Sequence, residues 1–255
     1  MLKTLSISKN VIFVLLTVII CSVSPAFAQV TFTNDEVQFL ADNPGLAFQD
    51  FNNGFITPGS FEICLNPVNS ESNDPCFTPG FISPILEFLS SASAGPLLFG
   101  QDFNNNGNPP NVLETAANSS RFEIVFLVPE VSVVGMQLGC LETSGMPNSQ
   151  CNEDIGVDVF GTGDVLLAST TVPGTSLFDT FLGVESSAEI TRIRINVLQP
   201  DNASFSEGLL NIRFGANLSQ NIPTLSEAGL IVTVVGLMLV GVFFAVKRRK
   251  AATGT

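Results

Sequence analysis

Short apolar runs separated by turn residues fill the chain between residues 46 and 214, and they constrain its fold more than any other feature. Clusters of Gly, Pro, Asn, Asp and Ser stand between the runs at strand-and-turn spacing. Strands are predicted at residues 46–51, 61–65, 85–89, 121–128, 131–138, 156–160, 165–170, 181–184, 190–197 and 209–214. No long helical period interrupts them. About ten antiparallel strands in one domain need two packed sheets, so we predict an all-β, jelly-roll-like β-sandwich.

The N-terminal 28 residues have the pattern of a secretory signal peptide. Lys3 and Lys9 are followed by the apolar run Val11–Ile20 and by a small-residue cleavage site at 26–28. The pattern predicts export, with a mature chain that begins at Gln29. The predicted outer domain occupies residues 29–218.

A second apolar segment lies near the C-terminus. Residues 229–246 carry no charge, and as a helix of roughly 27 Å they match a bilayer core. The basic tail 247–250 follows directly and is expected to stay on the cytoplasmic side. These segments predict a single-pass membrane protein whose outer domain lies in the periplasm or at the cell surface.

The residues just before this segment form a recognisable motif. They are Ile222, Pro223, Thr224, Leu225, Ser226, Glu227, Ala228 and Gly229. Followed by an apolar helix and a basic tail, the motif resembles the IPTL-CTERM sorting domain of Gram-negative bacterial surface proteins, which usually has Trp where Ala228 stands. The same residues also suit the start of a helix. Pro223 can end the preceding strand, the side chain of Ser226 can cap the helix, and the negative charge of Glu227 is favourable near the helix N-terminus.

The resemblance implies a partner and a fate for the region 219–255. In that family a membrane-embedded exosortase-type transpeptidase recognises the motif, cuts near it and passes the outer domain onward. The expected partners are therefore the membrane and an exosortase-type sorting enzyme.

A weaker resemblance concerns the last predicted strands. Residues 181–187, 190–193 and 210–215 are similar to the final strands of the jelly-roll domains of PEP-CTERM-type surface proteins. The resemblance implies a fold and carries no catalytic residue.

Charge and composition exclude several classes of function. The segment Asp35–Glu227 holds all 23 acidic residues and only four arginines, a net charge of −19 that repels phosphate backbones, so nucleic-acid binding is not expected. The chain has no His, Tyr or Trp. It therefore lacks the common general base at neutral pH and the usual stacking platforms for sugars, and its 22 Phe residues are expected in the core.

The mature chain has four cysteines, which form two local pairs. Cys64 with Cys76 and Cys140 with Cys151 each flank a polar loop, and an exported protein meets an oxidising compartment. Two local disulfides are predicted. A zinc site made of all four thiolates is the alternative.

One loop has the spacing of metal ligands. Asp102, Asn104 and Asn106 alternate before Gly107, as in the first half of an EF-hand-type calcium loop, although Leu113 stands at the twelfth position. Calcium binding and a simple Asn-rich turn are both compatible with this pattern.

Three classes of function remain. The first is a structural or matrix-associated surface protein without catalytic residues, and the second is a calcium-dependent saccharide-binding module. The third is a glycoside hydrolase that uses carboxylate pairs such as Glu153 with Asp154 or Asp158 with Asp164. The first is preferred because the chain shows no assembled chemistry. An extracellular polysaccharide is a further candidate partner.

Overall fold

The computed structural model describes residues 28–52, 56, 60–90, 97–101, 111–115, 121–142, 151, 153–198 and 205–216. All of them belong to one compact unit, Ala28–Gln220. Four predicted features lie outside these ranges: the signal peptide except Ala28, the calcium loop, the sorting motif and the membrane helix. Within the described ranges, no helix has the length and hydropathy needed to cross a bilayer.

The described residues form fourteen strands and one short α-helix. The strands are β1 Val30–Thr33, β2 Ala47–Asp50, β3 Ser60–Cys64, β4 Val68–Asn69, β5 Leu86–Ser90, β6 Leu97–Gln101, β7 Val112–Thr115, β8 Phe122–Phe126, β9 Val133–Glu142, β10 Asp154–Gly161, β11 Val165–Pro173, β12 Thr180–Ser186, β13 Arg192–Val197 and β14 Phe205–Gly215. The helix α1, Glu36–Asp42, begins after Asp35, whose side chain accepts a hydrogen bond from the Gln38 backbone N–H.

The strands make two antiparallel sheets. Sheet A has the order β1-β12-β9-β14-β7-β6-β3, and β2 pairs with β14 beside β7. Sheet B has the order β11-β10-β13-β8-β5-β4. Strands β7 to β14 supply β12-β9-β14-β7 to one sheet and β11-β10-β13-β8 to the other, an interleaving typical of a jelly roll. The predicted all-β sandwich is confirmed.

The core between the sheets is rich in phenylalanine. Phe51 is fully buried, and its ring centroid lies 5.7 to 6.2 Å from those of Phe77, Phe88 and Phe99. Alternate residues of facing strands complete the core, such as Ile193 of β13. Burial of these rings stabilises the fold and agrees with the core role predicted for the Phe residues. Phe48 and Phe61 depart from that prediction, since each is 47% exposed.

All ten predicted strands are present, with ends that differ by a few residues. Four further strands were not predicted, namely β1, β4, β6 and β7. They are two to five residues long, and they extend or fill sheets whose other strands are already formed. Such short segments gain their conformation from pairing with neighbours rather than from their own pattern.

Candidate functional site

The four cysteines form the two predicted disulfides. Cys64 bonds to Cys76 and Cys140 to Cys151, with Cα–Cα distances of 5.5 and 5.6 Å. The zinc alternative is therefore wrong, because none of these four sulfurs is left as a thiolate to bind a metal. Both disulfides are buried.

The calcium ligands Asp102, Asn104 and Asn106 lie outside the described residues, so calcium binding stays a prediction. Within the described ranges, His, Cys, Asp and Glu side chains form no group of three that could hold a metal ion.

A cleft opens where strand β1 ends. The last pair between β1 and β12 joins Thr33 to Gly183, whereas β12 begins three residues earlier, at Thr180. Residues 180–182 of β12 therefore extend past β1, and their backbone groups on that side border the cleft. The outermost strand of sheet B, β11, forms the opposite wall with residues 170–173. The cleft has a volume of about 540 Å³.

The lining of the cleft is neutral and amphipathic. It consists of Phe32, Thr33, Asn34, Thr170, Thr171, Val172, Pro173, Thr180, Phe181 and Leu182. Half of these side chains carry a hydroxyl or an amide and half are apolar, and none of these described residues is ionisable. In a domain this acidic, an uncharged cleft favours an uncharged ligand that presents both hydroxyl groups and C–H surface.

Hydrogen bonds and close packing hold the walls of the cleft. Thr180 donates from its Oγ1 to the carbonyl of Pro173 at 2.8 Å, which joins β12 to β11. Phe39 of α1 lies against Phe181, with ring centroids 5.4 Å apart. A Cβ on Gly183 would lie 2.5 Å from the Phe39 ring, so only glycine lets α1 pack this closely on β12.

A second polar cluster lies on the outer face of sheet B. Arg192 and Arg194 donate to the same oxygen of Glu123, each at 2.9 Å, and Arg192 also pairs with Asp164. Their guanidinium groups lie 4.2 and 4.8 Å from the centroid of the Phe160 ring. The alternation of polar and apolar residues around Arg192 predicted a strand with one solvated face. It could not show that Arg192 and Arg194 pair with Glu123, because that depends on which strands lie side by side.

Two acidic residues are buried inside sheet A and were not singled out by sequence. Glu114 of β7 and Glu207 of β14 are 0% and 2% exposed, and they project from opposite faces because Glu114 pairs with Gly208. Burial raises the pKa of Glu114 to about 8, against the hydrogen bond from Ser206, which lowers it. Burial raises the pKa of Glu207 to about 7.

One of the two carboxylate pairs suggested for a hydrolase, Asp158 with Asp164, is engaged elsewhere. Asp158 accepts a hydrogen bond from Ser169 at 2.7 Å, and Asp164 is ion-paired with Arg192. The carboxyl groups whose pKa values are raised, those of Glu114 and Glu207, lie away from solvent, where a polymer cannot reach them. Neither carboxyl group with a raised pKa is therefore placed to act as the general acid on a polymer.

The structure thus defines an antiparallel β-sandwich of jelly-roll order with an amphipathic cleft at the end of β1. No protein-family model matches the chain. No curated protein matches it either.

Several solved structures resemble it weakly. An arabinose-bound GH51 α-L-arabinofuranosidase has 11% identity and a TM-score of 0.35, covers 68% of this chain, and is itself covered over only 27% of its length. A family 32 carbohydrate-binding module of C. perfringens NanJ, in complex with galactose, has 16% identity, a TM-score of 0.28, and coverage of 50% of this chain and 93% of its own. The module CBM36, in complex with calcium and xylotriose, has 12% identity, a TM-score of 0.26, and coverage of 67% and 100%. These TM-scores are too low to assign a function to this chain.

Proposed function

We propose that this chain is an exported bacterial surface protein whose outer domain binds neutral saccharides in the cleft at the end of β1. The observation that carries the proposal is the lining of the cleft, in which hydroxyl and amide groups lie beside apolar surface and none of the described lining side chains is ionisable. A sugar ring presents the same combination, with hydroxyl groups at its rim and C–H groups on its faces.

The geometry of the cleft suits such a ligand. Phe32, which is half-buried, and Pro173, which is exposed, supply apolar surface in a chain without Trp or Tyr. Asn34 and Thr171 are exposed at the rim, where they can exchange hydrogen bonds with ligand hydroxyls. The backbone of residues 180–182 adds peptide groups on the side of β12 that β1 does not cover. Because these groups are already held by the sheets, little ordering entropy is lost on binding.

The charge of the protein restricts the class of saccharide. The net charge of −19 between Asp35 and Glu227 repels polyanions such as polyuronates or sulfated glycans. The ligand is therefore an uncharged polysaccharide or glycan, and its binding is insensitive to ionic strength because no ion pair forms.

Export, anchoring and exosortase processing rest on the sequence patterns at the two ends of the chain. They place the saccharide-binding domain outside the cell, either tethered or released. In either form, the domain would attach the protein to an extracellular polysaccharide matrix. This joins the structural and the saccharide-binding interpretations of the sequence.

The test is a titration of the exported protein against neutral glycans that a glycan array identifies. Thr171→Val removes a rim hydroxyl and is expected to weaken binding by about 5- to 10-fold, the effect of one lost hydrogen bond. Thr31→Val is the matched control, since Thr31 is also exposed on an outer strand but does not line the cleft. Failure of every neutral glycan to bind, or equal losses in both variants, would refute the proposal.

A further inference from the structure

We propose that the cleft is one end of a longer binding track that crosses the outer face of sheet B, so that the ligand is a linear oligosaccharide or polysaccharide rather than a single sugar. This inference rests on the proposed function. The juxtaposition that carries it is that of Thr171, which lines the cleft, with Gly156 and Asn196 in one row across three neighbouring strands.

The register of sheet B makes this row continuous with the cleft. Thr171 of β11 pairs with Gly156 of β10, and Gly156 pairs with Asn196 of β13. Paired residues of antiparallel strands project from the same face, and neighbouring strands lie about 4.8 Å apart. The row therefore extends about 10 Å beyond the cleft wall, which is longer than one sugar ring.

The surface along this row has no side chain at its middle position, Gly156, and it is amphipathic. Gly156 has no side chain, and atoms of Leu198 and Asn196 lie 3.0 and 3.4 Å from the position that its Cβ would take. Leu198 is 46% exposed, which gives an apolar surface for the C–H face of a sugar. The amide of Asn196 beside it offers both a donor and an acceptor to ligand hydroxyls.

A second row borders the first and is already ordered. Ser169 pairs with Asp158, and Asp158 pairs with Arg194. Ser169 donates a hydrogen bond from its Oγ to one oxygen of Asp158 at 2.7 Å, and Arg194 donates one from its Nε to Glu123. Within the described residues no hydrogen bond joins the two terminal nitrogens of Arg194, so they are available to hydroxyl groups of a ligand.

The charges around the track again favour a neutral ligand. Asp158, Glu123 and Asp164 outnumber Arg192 and Arg194, and Glu123 and Asp164 are paired with the arginines. The local net charge is therefore slightly negative. The carboxylate and guanidinium groups are held in place by these ion pairs and can serve as hydrogen-bond acceptors and donors for a ligand. Because positive charge is not in excess, they do not select a polyanion.

The experiment measures affinity against chain length. The exported protein is titrated calorimetrically with β-1,4-glucan, β-1,4-xylan, β-1,3-glucan and α-1,6-glucan oligosaccharides of one to six units. For the series that binds, affinity is expected to rise by about 10-fold or more between the disaccharide and the longer chains, because only the longer chains reach Asn196 at the far end of the first row. Asn196→Ala should then weaken hexasaccharide binding by about 5-fold or more and leave disaccharide binding unchanged.

Two further variants keep the result interpretable. Asn52→Ala is the control, because Asn52 is an exposed asparagine outside sheet B and should affect neither length. Ser169→Ala releases Asp158 without changing any charge, and it should repeat the length-dependent loss. An affinity that is already maximal for one or two units, with Asn196→Ala and Ser169→Ala both silent, overturns the track and leaves the cleft standing. Absence of binding to every series in this panel overturns the track, and the proposed function falls with it if the glycan array also yields no neutral ligand.

Discussion

Ser206 donates a hydrogen bond from its Oγ to Oε2 of Glu114 at 3.0 Å, and both side chains are fully shielded from solvent. The other carboxyl oxygen of Glu114 has no hydrogen-bond partner within the described structure, and the same is true of Oε1 of Glu207. Burial therefore disfavours the ionised form of both groups.

The stability of the domain is expected to fall as the pH rises from about 5 to about 8. The folded-state pKa values of about 8 for Glu114 and about 7 for Glu207 lie above the ordinary value of 4.5. The folded state thus holds more protons than the unfolded state across this window, and the free energy of unfolding decreases until both groups are ionised. Chemical denaturation at a series of pH values measures this slope.

Glu114→Gln should flatten that slope. The variant is expected to be more stable than the native protein at pH 8.5 by about 1 to 3 kcal/mol, since it no longer buries an ionised carboxylate, and to differ little at pH 5. Glu71→Gln, at an exposed position, is the control. An unchanged pH slope in Glu114→Gln would show that this carboxyl group is ionised in both states.

The two disulfides should differ in their effect on the cleft. Cys140 lies against Gly174, where a Cβ would be 2.6 Å from its sulfur, and its backbone N–H donates to Thr175. Both partners belong to the connection between β11 and β12, the two strands that Thr180 and Pro173 join beside the cleft.

Replacement of Cys140 and Cys151 by alanine is expected to lower the free energy of unfolding by about 2 to 5 kcal/mol and to weaken saccharide binding. The matched variant without Cys64 and Cys76 should lose comparable stability and keep its affinity, because its disulfide lies away from β11 and β12. Denaturation curves and calorimetric titrations of the two double variants are compared. Equal affinities would show that the connection is held without the disulfide.

Much of the fold was predictable, because the strands that build the two sheets carry their own apolar pattern. The short strand β7 was not, since Glu114 interrupts its apolar run and lies in the folded chain beside Gly208 of β14, which Phe178 also approaches. A carboxyl group in the middle of a sheet contradicts local preference, and tertiary contacts decide its place.

The candidate cleft could not be predicted for a related reason. It exists because β1 ends at Thr33, opposite Gly183, while β12 extends past it. Such a mismatch depends on pairing between distant parts of the chain, which apolar periodicity does not encode. The cysteine pairs were predictable because each is local and flanks a single polar loop.

Calcium binding is the prediction that concerns Asp102, Asn104 and Asn106. If these oxygen ligands bind calcium, millimolar calcium should raise the melting temperature by binding the folded state preferentially, and Asp102→Ala should abolish the increase. Differential scanning calorimetry with calcium and with chelator measures the shift. An increase that persists in Asp102→Ala would place the calcium elsewhere.

Processing at the C-terminus tests the sorting motif. Pro223→Ala should leave membrane insertion unchanged, because residues 229–246 supply the insertion free energy, yet it should block removal of the C-terminal segment by an exosortase-type enzyme. Cell fractionation with intact-mass measurement separates the processed from the anchored form. Replacing Ala228 with Trp should speed the cut, and equal processing of Pro223→Ala and the native chain would contradict recognition of the motif.

The most direct test of the saccharide-binding cleft is a map of ligand-induced amide shifts in the NMR spectrum of the protein. With the neutral oligosaccharide that binds, the largest shifts are expected at Thr33, Asn34, Thr171 and residues 180–182, because these groups border the cleft. Smaller shifts are expected at Asn196 as the chain lengthens. Shifts confined to sheet A around β3 and β6, with the residues of the cleft unmoved, would contradict the account.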